Sequence, residues 1–345
     1  MELDMRKMRI LAAIIDDYIL TAAPVGSRTV SQHPDIPLSS ATIRNEMSGL
    51  EELGFLEQPH TSAGRIPSDK AYRLYVNTIM SQSKLSDDET HYIRSHLTQT
   101  IDEVEQVVQQ TAWVLSNMTK YTSMVLTPQL NAVRLRRVQL VPVGEGKALA
   151  VIVTDAGIAR DSIVRVPRNI GDEQLERLSQ ILTRRLANRK LDEITGDLIP
   201  EISAGFVEQK VFLEATLDAV RKSVAPGTQS VTLSGANNML NYPEYSDVDK
   251  VRAFLSAIET KDTLYKLLTE ATKVEFSITI GRENESLDMQ DCSVVTATYR
   301  VGEEPIGSLG VIGPTRMNYS RILAILSYMG RSLSDVLTNI FEEER

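Results

Sequence analysis

The side chains best suited to selective recognition lie close together near the N-terminus. Ser40, Thr42, Arg44 and Asn45 open the run Ser40-Ala-Thr-Ile-Arg-Asn-Glu-Met-Ser-Gly-Leu-Glu-Glu-Leu53, and Ser48 follows them. Hydroxyls, a guanidinium and a carboxamide on the first turns of a helix are the groups a major-groove reader aims at base edges. Ile43, Met47, Leu50 and Leu53 recur at helical spacing and are assigned to the core face. An ordinary surface helix has the same polar and apolar faces, so this run alone leaves both readings open.

Catalytic chemistry finds little material. The four histidines are His33, His60, His91 and His96. The last pair is five apart, where two metal ligands on one helix face need three or four, and no His-Glu-x-x-His occurs. Gly144-Glu-Gly146-Lys147 lacks the rest of a phosphate-binding loop, and there is no Gly-x-Ser-x-Gly elbow. The single cysteine, Cys292, excludes an intrachain disulfide framework and a cysteine-based zinc cluster, and reads as a passive thiol at a strand start. Glu283 and Glu285 read as solvated carboxylates of a turn. The expectation is a non-enzyme with no catalytic residue, cofactor or metal.

The elements that must position the polar run are legible around it. Ile10, Leu11, Ile14, Ile15, Tyr18 and Ile19 form an amphipathic stripe that predicts a helix over 3–21, ended by Ala22-Ala-Pro24-Val-Gly26. Ser27 suits the N-cap of a short helix through Gln32, stopped by Pro34 and Pro37. Ser39 or Ser40 caps the next helix, which runs to Leu53 with Gly54 at the C′ position. Phe55-Leu-Glu-Gln58 then reads as a strand, His60–Arg65 as a turn and Ile66-Pro67 as the return. A helix-turn-helix followed at once by a hairpin is the winged-helix plan, whose wing lies along phosphates. From Gln58 to Val76 the cations Arg65, Lys70 and Arg73 face one anion, Asp69, a net +2. Residues 1–80 as a whole carry 8 Lys/Arg against 10 Asp/Glu, a net −2. That is a weak footprint for nucleic acid, so a winged helix that contacts protein stays open.

The whole chain has 345 residues, enough for two or three domains at roughly 150 residues each. Its 42% hydrophobic share can fill cores of that size. A net charge of −9 argues against coating nucleic acid by bulk electrostatics, and 5% aromatics with one Trp leaves little for stacking single-stranded bases. No apolar run approaches the roughly 18 residues of a membrane span. Asp16 and Asp17 end the first apolar run too early for a signal peptide. A cytoplasmic protein without membrane contact is expected. Past the wing, Tyr72, Tyr75, Val76 and Ile79 mark another helix, and Ser81–Glu89 a linker or helix start. One long helix is expected over 88–121. Three β-rich runs over 138–166 predict an antiparallel meander, with helices over 172–188 and 202–224. A strand at 230–234, helices near 247–272, strands near 274–281, 293–301 and 306–312, and a helix over 319–341 complete the chain. Strands and helices mix without alternating, which predicts α+β rather than a doubly wound sheet.

Leu38-Ser-Ser-Ala-Thr-Ile-Arg-Asn-Glu-Met47, Leu50–Pro67 with its Pro-His-Thr-Ser-Ala-Gly-Arg65 stretch, and Asp69-Lys-Ala-Tyr-Arg-Leu-Tyr-Val76 resemble the bacterial heat-inducible transcription repressor family HrcA. Pro24-Val-Gly-Ser-Arg28, Ile280-Gly-Arg-Glu-Asn284, Ser293-Val-Val and Val311–Tyr319 fit it as well, in order along nearly the whole chain. Ala71, where the family is expected to carry Gly, and Gly49 inside the recognition helix are departures. The resemblance implies a winged-helix DNA-binding domain at 1–80. It also implies a GAF-like domain at 88–129 and 228–345, interrupted by an inserted dimerising domain at 130–227. It implies a homodimer that represses chaperone operons at an inverted-repeat operator in double-stranded DNA, the CIRCE element. The GroEL chaperonin keeps such a repressor active until heat diverts it.

On this reading Ser39, Ser40, Thr42, Arg44 and Asn45 belong to the base-reading end of the recognition helix. Arg28, Thr61, Ser62, Arg65, Lys70 and Arg73 hold phosphates. The alternative is a winged-helix regulator gated by a metabolite in the GAF-like domain. The residues themselves name no such ligand.

Overall fold

The computed structural model describes residues 3–60, 63–81, 83–97, 104–128, 134–144, 146–154, 159–167, 170–189, 194, 212, 214, 216–217 and 231–343. The chain is α+β, and its N-terminal part is a winged helix. Helix α1 spans Met5–Thr21, capped by Asp4, whose side chain accepts from the Lys7 amide. Helix α2 is Ser27–Val30 and α3 is Ser40–Glu52. The first of these corrects the expected cap: Gly26, in extended conformation, precedes the helix, and Ser27 is its buried first residue. Ser39 caps α3 through its Oγ, which accepts from the Thr42 amide at 3.1 Å. Gly54 follows with φ +76°, the left-handed conformation that glycine adopts without strain. The wing is β1, Leu56–Glu57, paired antiparallel with β2, Ile66–Pro67.

Ser68 caps α4, Asp69–Leu74, which runs on into a π-helical turn at Tyr75–Ile79. The linker reading of 81–89 gives way to a capping box. Ser86 Oγ accepts from the Glu89 amide, and Glu89 Oε2 accepts from the Ser86 amide. These open α5, Asp87–Leu97. The single long helix expected over 88–121 is instead α5 and α6, Val104–Thr119, with 98–103 outside the described residues.

Two further sheets follow. Strand β3, Thr122–Leu126, leads to the meander β4 (Leu135–Gly144), β5 (Lys147–Thr154) and β6 (Ala159–Arg165), which form a three-stranded antiparallel sheet in that order. Helix α7, Asp172–Leu186, covers one face, with Leu175, Leu178, Leu182 and Leu186 packed on Val138, Leu140, Ala150 and Ile152 in a core of their own. The helix expected over 202–224 lies largely outside the described residues.

The chain then returns as β7, Val231–Ser234, which pairs with β3. Helices α8 (Val248–Glu259) and α9 (Lys261–Ala271) precede β8 (Phe276–Ile280), β9 (Cys292–Val301) and β10 (Glu304–Pro314). The five-stranded order is β7-β3-β10-β9-β8, and α10, Tyr319–Glu343, packs across it. Because β3 and β7 are neighbours, everything between them leaves and re-enters the sheet at one edge. One apolar cluster runs from Ile10, Ile43 and Leu50 of the winged helix through Tyr72 to Leu115, Tyr319 and Leu326. The winged helix thus shares its core with the five-stranded unit.

Candidate nucleic-acid interface

Helix α3 buries Ile43, Met47 and Leu50, which turns its opposite side outward. Arg44 and Asn45 are exposed there, as is Arg28 on α2, and their side chains make no hydrogen bond or ion pair among the described residues. Thr42 is half-buried, its Oγ1 2.9 Å from Ser39 Oγ. Ser40 is also half-buried, its hydroxyl 3.0 Å from that of Ser31 on the α2 side of the turn. Ser39 and Ser40 therefore fix the start of α3, while Arg44 and Asn45 project from it. His33 Nε2 lies 2.9 Å from Asp17 Oδ2 and ties the same turn to α1. At the other end Lys7 pairs with Glu46 at 2.9 Å, and that hydrogen bond and charge raise the Lys7 pKa against the lowering effect of burial.

The wing is built on a close approach that sequence patterning did not bring out. Val25 and Arg65 exchange backbone hydrogen bonds at 2.9 and 2.8 Å, so the break after α1 acts as a third strand of the wing. A Cβ on Gly64 would lie 2.4 Å from the Val25 carbonyl oxygen, which is why this position needs glycine. The two short motifs Pro24-Val-Gly-Ser-Arg28 and Ala63-Gly-Arg65 thus meet in space.

The cations expected on phosphates divide differently from the sequence reading. Arg65 Nε donates to Glu51 Oε2 at 2.9 Å, joining the wing to the end of α3. Lys70 Nζ donates to the Leu53 carbonyl at 2.8 Å and sits 4.4 Å from the centre of the Phe55 ring, where it satisfies the C-terminus of α3. Thr61 and Ser62 lie outside the described residues. Arg73 faces away from the wing: its Nε donates to Glu283 Oε1 at 2.7 Å and its Nη2 to the Ile278 carbonyl at 2.6 Å. In this arrangement Arg73 holds the five-stranded unit instead of presenting its charge to a phosphate. Glu283 is likewise no solvated turn residue. Burial pushes its carboxyl up, but the Arg73 hydrogen bond, the Ile280 amide and the Arg73 charge outweigh that and hold it low.

Arg73 is one part of a docking surface that sequence reasoning missed. The Arg282 amide donates to Asp69 Oδ2 at 3.0 Å. Gly281, at φ +55°, leaves room for that carboxylate, since a Cβ would lie 2.2 Å from Asp69 Oδ2. Tyr72 packs on Tyr319 with ring centroids 6.1 Å apart. Arg316, 9% exposed, pairs with Glu244 and donates to the Ile19 carbonyl at 3.0 Å. The residues at 69–73, 280–284 and 311–319 had each been singled out as strings. Their meeting was hidden because Arg73 and Glu283 are 210 positions apart.

Among the described residues no group of three or more His, Cys, Asp and Glu is placed to hold a metal ion. No helix among them is long and apolar enough to cross a membrane. Cys292 is buried, with Tyr245 Oη 3.2 Å from its Sγ, and burial pushes the thiol up to about 11.

The family profile described as the HrcA protein C terminal domain matches residues 105–323. A heat-inducible transcription repressor HrcA of Acetivibrio thermocellus is 44% identical over 338 residues, covering 97% of this chain and 96% of that one. The chain belongs to the HrcA family. The HrcA of Ruminiclostridium cellulolyticum is 41% identical over 346 residues, with 99% of each chain covered. A solved structure described only as a hypothetical protein at 2.2 Å resolution superposes with a TM-score of 0.65 at 26% identity, covering 98% of this chain and 100% of that one. The HrcA-family fold therefore extends over the winged helix as well as the C-terminal region that the profile matches.

Proposed function

We propose that this chain represses heat-shock chaperone operons by binding an inverted-repeat operator, the CIRCE element, as a homodimer. The observation that carries the reading is the pair Arg44 and Asn45, exposed and uncommitted on the first turns of a well-capped α3 beside a wing. Arg44 matches the two acceptors of a guanine edge, and Asn45 the acceptor and donor of adenine. Thr42 adds a hydroxyl, and Ser39 and Ser40 hold the helix start. Arg28, Thr61 and Ser62 contact phosphate. Arg65 and Lys70 join them once DNA competes with Glu51 and the Leu53 carbonyl.

The domain division that goes with this function is 1–80, 88–129 with 228–345, and the insertion 130–227. The insertion supplies the dimer contact. Val141 pairs with Leu149 and Leu149 with Ile163 across its sheet, placing the three in one row on the face opposite α7. Val141 is 40% and Ile163 65% exposed, an apolar strip suited to a second copy.

The GroEL chaperonin keeps the repressor in its DNA-binding form, and heat removes that support by filling the chaperonin with unfolded clients. A loss of about 1–2 kcal/mol is enough to change an active population severalfold. The test is titration of the operator duplex with protein recovered from mild heating, with and without chaperonin and nucleotide. The account expects chaperonin to restore the DNA-binding fraction. An active fraction that recovers equally without it would remove the chaperonin from the mechanism.

A further inference from the structure

Strands β8 and β9 pair with Ser277 opposite Thr296 and Thr279 opposite Val294, which sets these four side chains on one face of the sheet. Helix α9 lies over that face but does not close on it. A cleft of about 370 Å³ remains between them, bounded at one end by the turn that follows β8. That volume falls in the range of small-molecule sites.

The floor is hydroxyl-rich and incompletely satisfied. Thr279 Oγ1 donates to Asn284 Oδ1 at 2.9 Å, while Asn284 Nδ2 donates to the carbonyls of Gly281, Met289 and Cys292 at 2.9, 3.1 and 2.9 Å. Those bonds make the end wall rigid. Thr296, by contrast, is 2% exposed and its Oγ1 has no hydrogen-bond partner. A buried hydroxyl left in this state is destabilising until something bonds to it.

The charges on the cleft wall select the kind of molecule. Lys266 faces three carboxylates, Glu270, Glu283 and Glu285, a net −2 that favours a cation over an anion. Glu283 is also the residue that holds Arg73 of α4. A cation seated beside it competes directly with the guanidinium that docks the winged helix.

We propose that the cleft between α9 and the β8–β9 face binds a small aliphatic amine, and that its occupancy loosens α4 by drawing Glu283 away from Arg73. The site needs no DNA to be filled, so it stands or falls separately from operator recognition.

Isothermal titration of the full-length chain with 1,4-diaminobutane and ethanolamine, against butane-1,4-diol and succinate as neutral and anionic controls, tests it directly. Saturable binding of the amines is expected, with at least tenfold weaker binding of both controls. Thr296→Val keeps shape and removes the hydroxyl, and Glu285→Gln removes one charge; each should weaken the amine by tenfold or more. Hydrogen exchange at residues 69–74 should accelerate severalfold at saturation. No saturable amine binding by the folded chain overturns the site, as does equal binding of diol or succinate. Amine affinity unchanged in both variants places the ligand elsewhere and overturns the assignment. Binding that leaves exchange at 69–74 unaltered overturns the coupling to α4.

Discussion

Arg44, Asn45 and Arg28 are the side chains on which the DNA reading rests, because they are exposed and make no bond within the protein. Replacing Arg44 by Ala should reduce affinity for the cognate duplex by about 1–3 kcal/mol and relax base preference at the position it reads. Fluorescence anisotropy on single-base variants of the operator measures both effects; an unchanged preference at every position would take Arg44 out of the groove. Arg28→Ala should weaken all sequences alike and reduce the slope of log affinity against log salt by about one unit. Arg65 behaves differently because Glu51 already neutralises it. Its contribution to that slope should grow when Glu51→Gln releases it.

At the scale of elements, the wing and α4 are the parts that set where α3 points. Gly64→Ala puts a Cβ against the Val25 carbonyl. Forcing the wing from the α1–α2 connection should destabilise the chain by about 1–3 kcal/mol, read as a lower denaturant midpoint with unchanged slope. The Arg73–Glu283 contact carries a pH signature. The Glu283 carboxyl is held below its ordinary value, so its stabilisation is complete above the unfolded carboxyl value near 4.3 and is lost as pH falls through the lower folded value. Glu283→Gln should therefore be less stable than the natural chain at neutral pH, and the gap should close in acid; a gap constant down to the lowest pH would mean that the pair contributes no charge-dependent stability. Much of this level was readable beforehand. Apolar periodicity marked α1, α3, α7 and α10, and turn residues marked the meander, because those signals are local. The split of the 88–121 helix, the third wing strand at Val25 and the docking of α4 were not readable. Each depends on partners distant in sequence, and polar residues such as Arg73 and Glu283 look equally at home in solvent until the fold joins them.

For the molecule as a whole, the five-stranded sheet is interrupted between β3 and β7, and the interrupting unit has its own core and an exposed apolar row. Ile163→Asp and Val141→Asp should convert a dimer to monomers in sedimentation equilibrium without unfolding, since both side chains are largely exposed within one chain. A dimer that survives both changes would move the contact to another surface. The winged helix is anchored through the Asp69, Arg73 and Arg316 contacts rather than tethered loosely, so the spacing of two recognition helices follows from the dimer contact and this docking together. The most direct test of the account is anisotropy of the purified chain on an inverted-repeat duplex and on a scrambled duplex of equal length, across a salt series. The account predicts a clear preference for the inverted repeat that persists as salt weakens both. Equal affinity for the two duplexes at every salt concentration, with the protein folded, would contradict it.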